Sequence, residues 1–367
     1  MKTTENTIPF LATHPGEVLL DEFKARDFTQ SDFAKKIGLK KSQLNEIIKR
    51  KRNINAELAI LLEKALDIDA EYWLEVQKNY DLDKARINNK NQQRLEAIEQ
   101  WKFIENKIAT SFLKKEKIIS GDPIEDLITV KKIYNVQNFE ELAKLNAEPP
   151  YARFRKSTKL ETDPINIIGW VKLLHFNASQ IFVEKFDYDK KSELIAKLKQ
   201  ILRINKNTIE TVQQTLANFG IKLIYQRKGN KTPVDGISFW SNGSPAIGMS
   251  LRHNRLDNFA FTLFHELGHV FEHLPNNNKA EFVDLISSKE QKDYKKSKEE
   301  KKANLFAQRN MIEPNNWNAF FHNQKFDDKS IIEFAKENEI HPCIVRGRIC
   351  FTTGTYNTKT SIDYSIY

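Results

Sequence analysis

A five-residue motif at positions 265–269, His-Glu-Leu-Gly-His, combines three side chains that together could carry out metal-dependent hydrolysis. The two histidines stand four residues apart, so a helix places both imidazoles on one face, where they can bind one zinc ion. Glu266 can reach a water molecule bound to that zinc, and a carboxylate in this position serves as general base. The motif therefore predicts His265 and His269 as zinc ligands and Glu266 as the catalytic base.

A catalytic zinc ion needs a third protein ligand. Glu300 is the best candidate because it begins EKKANLFAQ, a predicted helix with an apolar face that can pack against the motif helix. The apolar residues of that face are Ala303, Phe306 and Ala307. Two alternatives stay open. Glu299 lies about 100° from Glu300 around a helix, and His273 follows His269 by one turn, a spacing that suits either a ligand or a residue that supports the ligands.

A second pattern lies at residues 30–49, where two short predicted helices flank Gly38. Glycine fits a tight turn in which a Cβ atom would be strained, and Thr29 with Asp32 predicts the start of the first helix. Both helices carry apolar residues that can close a common core, namely Phe33, Ala34, Ile37, Leu39, Leu44 and Ile47. This spacing is typical of a helix-turn-helix, whose second helix enters the major groove of DNA.

The charge distribution supports DNA binding. The chain has 58 Lys and Arg against 49 Asp and Glu, a net charge of +9. Ten basic and three acidic residues lie at positions 24–52, so +7 of that excess is concentrated in one stretch. Basic side chains grip phosphates, and exposed amides, hydroxyls and lysines can bond base edges. The predicted DNA contacts are Gln30, Lys41, Ser42, Gln43, Asn45, Glu46, Lys49 and Arg50.

The composition limits the classes of protein to which the chain can belong. A chain of 367 residues with 40% hydrophobic content has room for two or three folded units and is unlike a disordered or collagenous chain. Cys343 and Cys350 are too few for a disulfide framework and fit a reducing compartment. No apolar stretch approaches the ~20 residues of a membrane span, and His14 and Pro15 interrupt the N-terminal apolar run. We expect a cytoplasmic protein with no membrane partner.

The elements that must position these residues are mostly helical, so the predicted fold class is α+β, mostly α. Short helices occupy residues 15–80, and residues 84–119 predict one long amphipathic helix that connects domains. After residue 220, the segments GIKLIYQ, GISFW and AIGMSL are rich in β-branched and aromatic residues and predict a small antiparallel sheet. Residues 287–302, rich in Lys and Glu, predict a solvated loop that leads into a helix.

Two resemblances follow from these residues. HPGEVLLDEF, TQSDFAKKIGLKKSQLNEIIKRKRNI and DAEYWLEVQKNY resemble the HigA-type antitoxins and repressors of the Xre helix-turn-helix family, over about the first 80 residues. This likeness implies a homodimer that binds operator DNA and represses its own transcription. RLDNFAFTLFHELGHVFEH, EKKANLFAQ and IEFAKENEIHPCIVRGRI resemble the ImmA/IrrE zinc metallopeptidases, over about residues 165–350.

In the ImmA/IrrE family the HExxH histidines and the glutamate of E-x-x-A-N bind zinc. Carried over residue by residue, this implies His265, His269 and Glu300 as ligands with Glu266 as base. His341, in EIHPCIV, matches a recurrent family position, with either a capping role or an oxyanion contact. The chain has RNMIEP where many members have LLMP after the second helix, a departure that falls in the substrate cleft.

Together these features predict a helix-turn-helix domain (1–82), a helical connector (83–160), a zincin-like metallopeptidase domain (161–350) and a C-terminal tail (351–367). The expected function is that of a DNA-binding repressor or antitoxin fused to a zinc endopeptidase. Its substrate would be a repressor-like protein, its own chain or a partner, and a cognate toxin is a further expected partner. The alternative is a non-proteolytic antitoxin or sensor whose peptidase-like domain only binds a ligand or toxin.

Overall fold

The computed structural model describes residues 11–145, 163–250, 254–276, 280–285, 298–322, 326–356 and 358–367. The chain divides into two compact units, an N-terminal unit (Met1–Gln100) and a C-terminal unit (Trp101–Tyr367). The division falls inside the predicted connector, of which residues 146–160 lie outside the described part. Most of the predicted loop at 287–302 also lies outside it.

The N-terminal unit is built of helices whose starts are set by capping side chains. His14 accepts a hydrogen bond from the Gly16 amide through Nδ1, and Thr29 and Asn55 cap the helices that follow them. The helices are α1 (Pro15–Ala25), α2 (Gln30–Lys36), α3 (Lys41–Ile48), α4 (Ala56–Leu66), α5 (Ala70–Ile87) and α6 (Asn89–Ile104), the last of which crosses the unit boundary.

The core of this unit confirms the helix-turn-helix spacing. The predicted inner residues Phe33, Ala34, Ile37, Leu44 and Ile47 are buried, and Leu39 packs on them half-buried. The turn between α2 and α3 has Gly38 at φ +72°, the left-handed region that favours glycine. The predicted core and turn therefore hold α3 with its opposite face free for contact with another molecule.

The predicted helix over residues 84–119 is wrong as a single element. It is broken into the end of α5, the helix α6 and a further short helix, α7 (Thr110–Lys115), with an extended residue at Asn88. The side-chain oxygen of Asn88 accepts hydrogen bonds from the Lys90 and Asn91 amides at 3.0 and 3.4 Å. Asparagine in this position caps a new helix, so the chain restarts instead of continuing.

The C-terminal unit surrounds one small sheet with helices. Its helices are α7 (Thr110–Lys115), α8 (Pro123–Tyr134), α9 (Glu141–Leu145), α10 (Pro164–Ser179), α11 (Lys191–Ile204), α12 (Thr208–Asn218), α13 (Leu256–Glu272), α14 (Lys298–Met311), α15 (Pro314–His322), α16 (Asp328–Glu337) and α17 (Pro342–Thr353). Its strands are β1 (Lys222–Tyr225), β2 (Val234–Ser241), β3 (Ser244–Met249) and β4 (Phe282–Leu285).

The fold class is confirmed, but the sheet is mixed and not wholly antiparallel. The strand order is β1-β3-β2-β4, and β1 pairs with β3 in parallel. β2 and β3 form a hairpin through Asn242 and Gly243, both at positive φ, as in the two-residue turns that join antiparallel strands. Because β3 lies between β1 and β2, the chain must cross over before β2 begins. β4 was not expected from the sequence.

The motif helix and the helix that carries Glu300 pack closely. α13 carries a buried face, and α14 covers it with Ala303, Phe306 and Ala307, which confirms the predicted contact. The Phe271 and Phe306 rings stack at 6.2 Å. This packing places the first turn of α14 beside the middle of α13.

The end of the chain lies on the C-terminal unit. α17 continues through Thr353, and Ser365 forms an isolated antiparallel bridge with Arg255 at the start of α13. The Thr208 amide donates a hydrogen bond to the carbonyl oxygen of Tyr367. Among the described residues, no helix has both the length and the apolar character needed to cross a membrane.

Candidate metal centre and nucleic-acid interface

Four of the predicted site residues meet inside the C-terminal unit. His265, Glu266 and His269 lie on α13, and Glu300 lies in the first turn of α14. All four are buried, and the exposed fraction of Glu300, the largest of the set, is only 4%. Burial of this many ionisable groups is costly unless they pair or bind a metal. The cluster is therefore a candidate site and not a surface coincidence.

The donor atoms converge at metal-ligand spacing. The two Nε2 atoms of His265 and His269 lie 3.1 Å apart, and each lies 3.4 Å from one oxygen of the Glu300 carboxylate. Donors about 2.0–2.1 Å from a tetrahedral zinc ion are separated by about 3.4 Å. Two imidazole nitrogens and one carboxylate oxygen are also a donor set that zinc prefers. These three residues fit a metal ion.

Asn304 orients the first of these ligands. Nδ1 of His265 lies 3.1 Å from the side-chain oxygen of Asn304, one turn beyond Glu300 on α14. An amide oxygen can only accept a hydrogen bond, so Nδ1 of His265 carries the proton and Nε2 presents its lone pair to the cluster. Asn304 was not among the predicted site residues, although it completes the E-x-x-A-N segment that begins at Glu300.

Electrostatics favour the protonation states that metal binding requires. Burial lowers the pKa of His269 to about 4, with the Glu300 carboxylate opposing the shift, so the imidazole is neutral. Burial also opposes the charged form of Glu300, but the contacts with His265 and His269 outweigh it and hold the pKa of that carboxyl well below its usual range. Neutral imidazoles and an ionised carboxylate are the forms that bind metal ions.

The predicted base lies against strand β2. The Ser238 hydroxyl lies 2.5 Å from Oε2 of Glu266, and a Cβ atom at Gly236 would come within 2.8 Å of the carboxyl carbon. Two alternate residues of one strand face therefore shape the space around this carboxylate. Sequence reasoning missed both, because only the packing of β2 on α13 brings them to Glu266.

The other histidines have different surroundings. His273, the residue that follows the last turn of α13, has its Nδ1 3.1 Å from Nδ1 of His269, but it lies outside the cluster of three converging donors. The Phe282 ring of β4 stacks on His269 at 4.5 Å. His341 caps α17 by accepting from the Cys343 amide and is likewise outside the cluster. Glu299, the alternative to Glu300, is exposed.

The predicted DNA contacts lie mainly on the free face of α3. The side chains of Lys41, Ser42, Glu46, Lys49 and Arg50 are exposed. Those of Gln30, Gln43 and Asn45 are half-buried. None of these eight belongs to the buried core formed by α1 to α4, so the helix is available from that side.

Two of these side chains already have partners within the unit. The Gln43 side-chain oxygen accepts a hydrogen bond from the Lys40 amide at 3.1 Å, which caps α3 from within. The Arg50 guanidinium pairs with Glu17 at 3.1 Å and so ties the end of α3 to the first turn of α1. Both residues position the helix as well as offering polar groups to a ligand.

A segment of each unit matches a known protein family. Residues 20–73 match the helix-turn-helix family HTH_3. Virulence-associated protein I of Dichelobacter nodosus is 37% identical over 90 residues, which cover 23% of this chain and 82% of that protein. The chain belongs to the helix-turn-helix family. This helix-turn-helix protein also matches the IrrE N-terminal-like domain, Peptidase_M78, over residues 216–340.

Other relatives are similar over the same share of the chain. The uncharacterized HTH-type transcriptional regulator YbaQ of Escherichia coli K12 is 28% identical over 24% of this chain and 78% of its own length. Among solved structures, the Pseudomonas aeruginosa antitoxin HigA with higBA promoter is 31% identical, with a TM-score of 0.22, over 22% of this chain and 90% of that one. An addiction module antidote protein of a HigA family from Coxiella burnetii is 26% identical, with a TM-score of 0.20, over 27% of this chain and 96% of that one.

These matches define the organisation of the protein. It joins a DNA-binding helix-turn-helix domain of the regulator type to an IrrE-like, metallopeptidase-like domain. The Peptidase_M78 match spans the HELGH motif, Glu300 and Asn304, so the buried cluster lies within the matched segment.

Proposed function

We propose that this protein is a transcriptional repressor of the antitoxin type whose C-terminal domain is a zinc-dependent endopeptidase. The observation that carries the peptidase part is the convergence of two imidazole nitrogens and one carboxylate oxygen beside a buried glutamate on the same helix. A purely structural domain has no need of a carboxylate in the position of Glu266. The substrate would be a repressor-like protein, either a partner or the chain itself.

His265, His269 and Glu300 would hold the zinc ion, which when bound supplies a Lewis acid that polarises a carbonyl group and acidifies water. Glu266 accepts a proton from the attacking water as the water oxygen adds to the peptide carbonyl carbon. The same carboxyl then returns the proton to the leaving nitrogen as the carbon–nitrogen bond breaks. One water is consumed, and Ser238 holds the carboxylate in one orientation through both transfers.

The N-terminal domain would bind operator DNA through α3. Lys41 and Ser42 at its start would reach base edges, and Lys49 with Arg50 at its end would grip phosphates. A homodimer would present two such helices to half-sites about one helical turn apart. The antitoxin role and a cognate toxin partner come from the resemblance of this region to antitoxins of the HigA type, with zinc as the cofactor of the second domain.

A peptide-library digest tests the endopeptidase. The zinc-loaded full chain and its Glu266→Gln variant are incubated with a defined library of proteome-derived peptides, and new N-termini are identified by mass spectrometry. We expect new termini with the wild type and none with Glu266→Gln, while both hold equal zinc. Equal zinc without cleavage by the wild type would contradict the peptidase proposal and favour a non-proteolytic sensor.

A further inference from the structure

Four aromatic rings follow one face of α13 at intervals of four residues. They belong to Phe261, His265, His269 and, at the C-cap of the helix, His273, and successive ring centroids are 6.1, 4.9 and 5.0 Å apart. The two middle rings are the candidate metal ligands. One further ring therefore flanks the pair of ligands on each side.

The two ends of this row differ in exposure. At one end His273 is buried, and the Phe282 ring lies over it at 5.3 Å. At the other end Phe261 is half-buried and contacts Phe351 of α17 at 6.3 Å. The exposed fraction of Phe351 is 61%, a large value for an apolar ring beside a buried ionisable cluster. An exposed apolar ring, Phe351, is thus linked to the ligand His265 through the half-buried ring of Phe261.

We propose that Phe261 and Phe351 form a subsite for one aromatic side chain of a peptide bound at the metal centre. This inference rests on the proposed function and names the substrate feature that the site selects. The rings form a continuous series, because Phe351 contacts Phe261 and Phe261 contacts His265, each pair tilted by 31°. A substrate ring that packs on the exposed face of Phe351 with its centroid about 4.5–7 Å away would gain the attraction that aromatic pairs have beyond their buried area.

The occupant is an aromatic side chain and not a charged one, because the two rings offer apolar surface and no charged group. A ring on the substrate would cover Phe351, which otherwise stays in water. Such a contact would select peptides with Phe, Tyr or Trp next to the cleaved bond. Phe261 and Phe351 would then determine specificity without taking part in the chemistry.

Hydroxamate probes test the subsite without a known substrate. Zinc-loaded full chain is titrated calorimetrically with L-phenylalanine hydroxamate and glycine hydroxamate, and with a succinyl hydroxamate that carries or lacks a 2-benzyl group. These pairs place the ring on either side of the metal-binding group. We expect the benzyl member of one pair to bind about three- to tenfold more tightly than its partner.

Phe351→Ala is expected to abolish that preference. Its matched control is Phe182→Ala, which removes another exposed ring and should keep the preference. Zinc content is measured first. A chain that holds no zinc overturns the proposed function and the subsite with it. A chain that holds zinc and binds hydroxamates, but shows no benzyl preference or keeps it in Phe351→Ala, overturns the subsite alone.

Discussion

Gly268 and Ala303 touch where α13 crosses α14. A Cβ atom at Gly268 would lie 2.8 Å from the Cα atom of Ala303 and 3.1 Å from its carbonyl oxygen. The small residue inside the HELGH motif therefore allows the second helix to approach closely enough for Glu300 to reach both histidines. Metal-ligand geometry in this protein depends on a helix crossing as well as on the ligands.

Gly268→Ala is predicted to weaken both zinc binding and stability. The added methyl group meets backbone atoms that cannot rotate away, so α14 must shift, at a cost of about 1–3 kcal/mol. The thermal midpoint of the zinc-loaded protein should fall by several degrees, with a lower zinc affinity. Lys301→Ala, an exposed change on α14, is the control and should alter neither quantity. A normal zinc affinity in Gly268→Ala would show that the crossing does not position Glu300.

Glu300→Gln is predicted to reduce the zinc content of the purified protein well below one ion per chain. The amide removes the negative charge from the ligand cluster and offers a poorer donor. Glu299→Gln is the matched control, since it makes the same chemical change at an exposed neighbour. Elemental analysis after dialysis measures both. Loss of zinc from Glu299→Gln with retention in Glu300→Gln would reverse the assignment.

Asn304→Ala is predicted to lower zinc affinity by about 10- to 100-fold, the usual cost of losing the partner that orients a histidine ligand. The cause would be rotation and tautomer exchange of His265, whose Nδ1 loses its acceptor. Asn304→Asp keeps an acceptor oxygen and should restore most of the affinity. Competition with a fluorescent chelator gives the values. Equal zinc affinities in the wild type, Asn304→Ala and Asn304→Asp would show that Asn304 does not support the metal site.

Stability of the metal-free chain is predicted to fall on acidification. The pKa of His269 is about 4 in the fold against 6.5 for an unperturbed histidine, so between these values the unfolded chain binds a proton that the folded chain does not. Stability therefore rises with pH in this window and is lost as pH falls through it; the lowered pKa of Glu300 adds to the loss at lower pH.

Thermal midpoints in chelator between about pH 7 and pH 5 measure this dependence. His269→Gln is the control, because a side chain that does not titrate should show a shallower decline. A decline equally steep in the variant would show that other groups cause it.

Lys41→Ala is predicted to weaken DNA binding and to lower the magnitude of the salt slope by about one if it contacts a phosphate, or to relax sequence preference if it contacts a base. The probe is the duplex upstream of the protein's own gene, titrated at several salt concentrations. Lys64→Ala, an exposed lysine on α4, is the control and should bind as wild type. Identical affinity and slope in Lys41→Ala would exclude the start of α3 from the interface.

Local sequence patterns determined the features that depend on spacing along one helix or turn. The four-residue interval of His265 and His269, the left-handed turn at Gly38 and the apolar faces of α2 and α3 follow from helix periodicity and from the sterics of a missing Cβ atom. Asn88 is also a residue type that caps helices, but the apolar pattern continues past it and therefore predicts one unbroken helix.

Tertiary structure alone decided what meets these residues across space. Asn304, Ser238 and Phe282 come from three different elements, and no interval in the sequence relates them to α13. The parallel pairing of β1 with β3 likewise depends on where the chain crosses over. Short-range periodicity specifies which face of an element is apolar, whereas tertiary packing determines which other elements contact that face. The ligands could therefore be predicted from their motifs, whereas the contacts that Asn304, Ser238 and Phe282 make with the site could not.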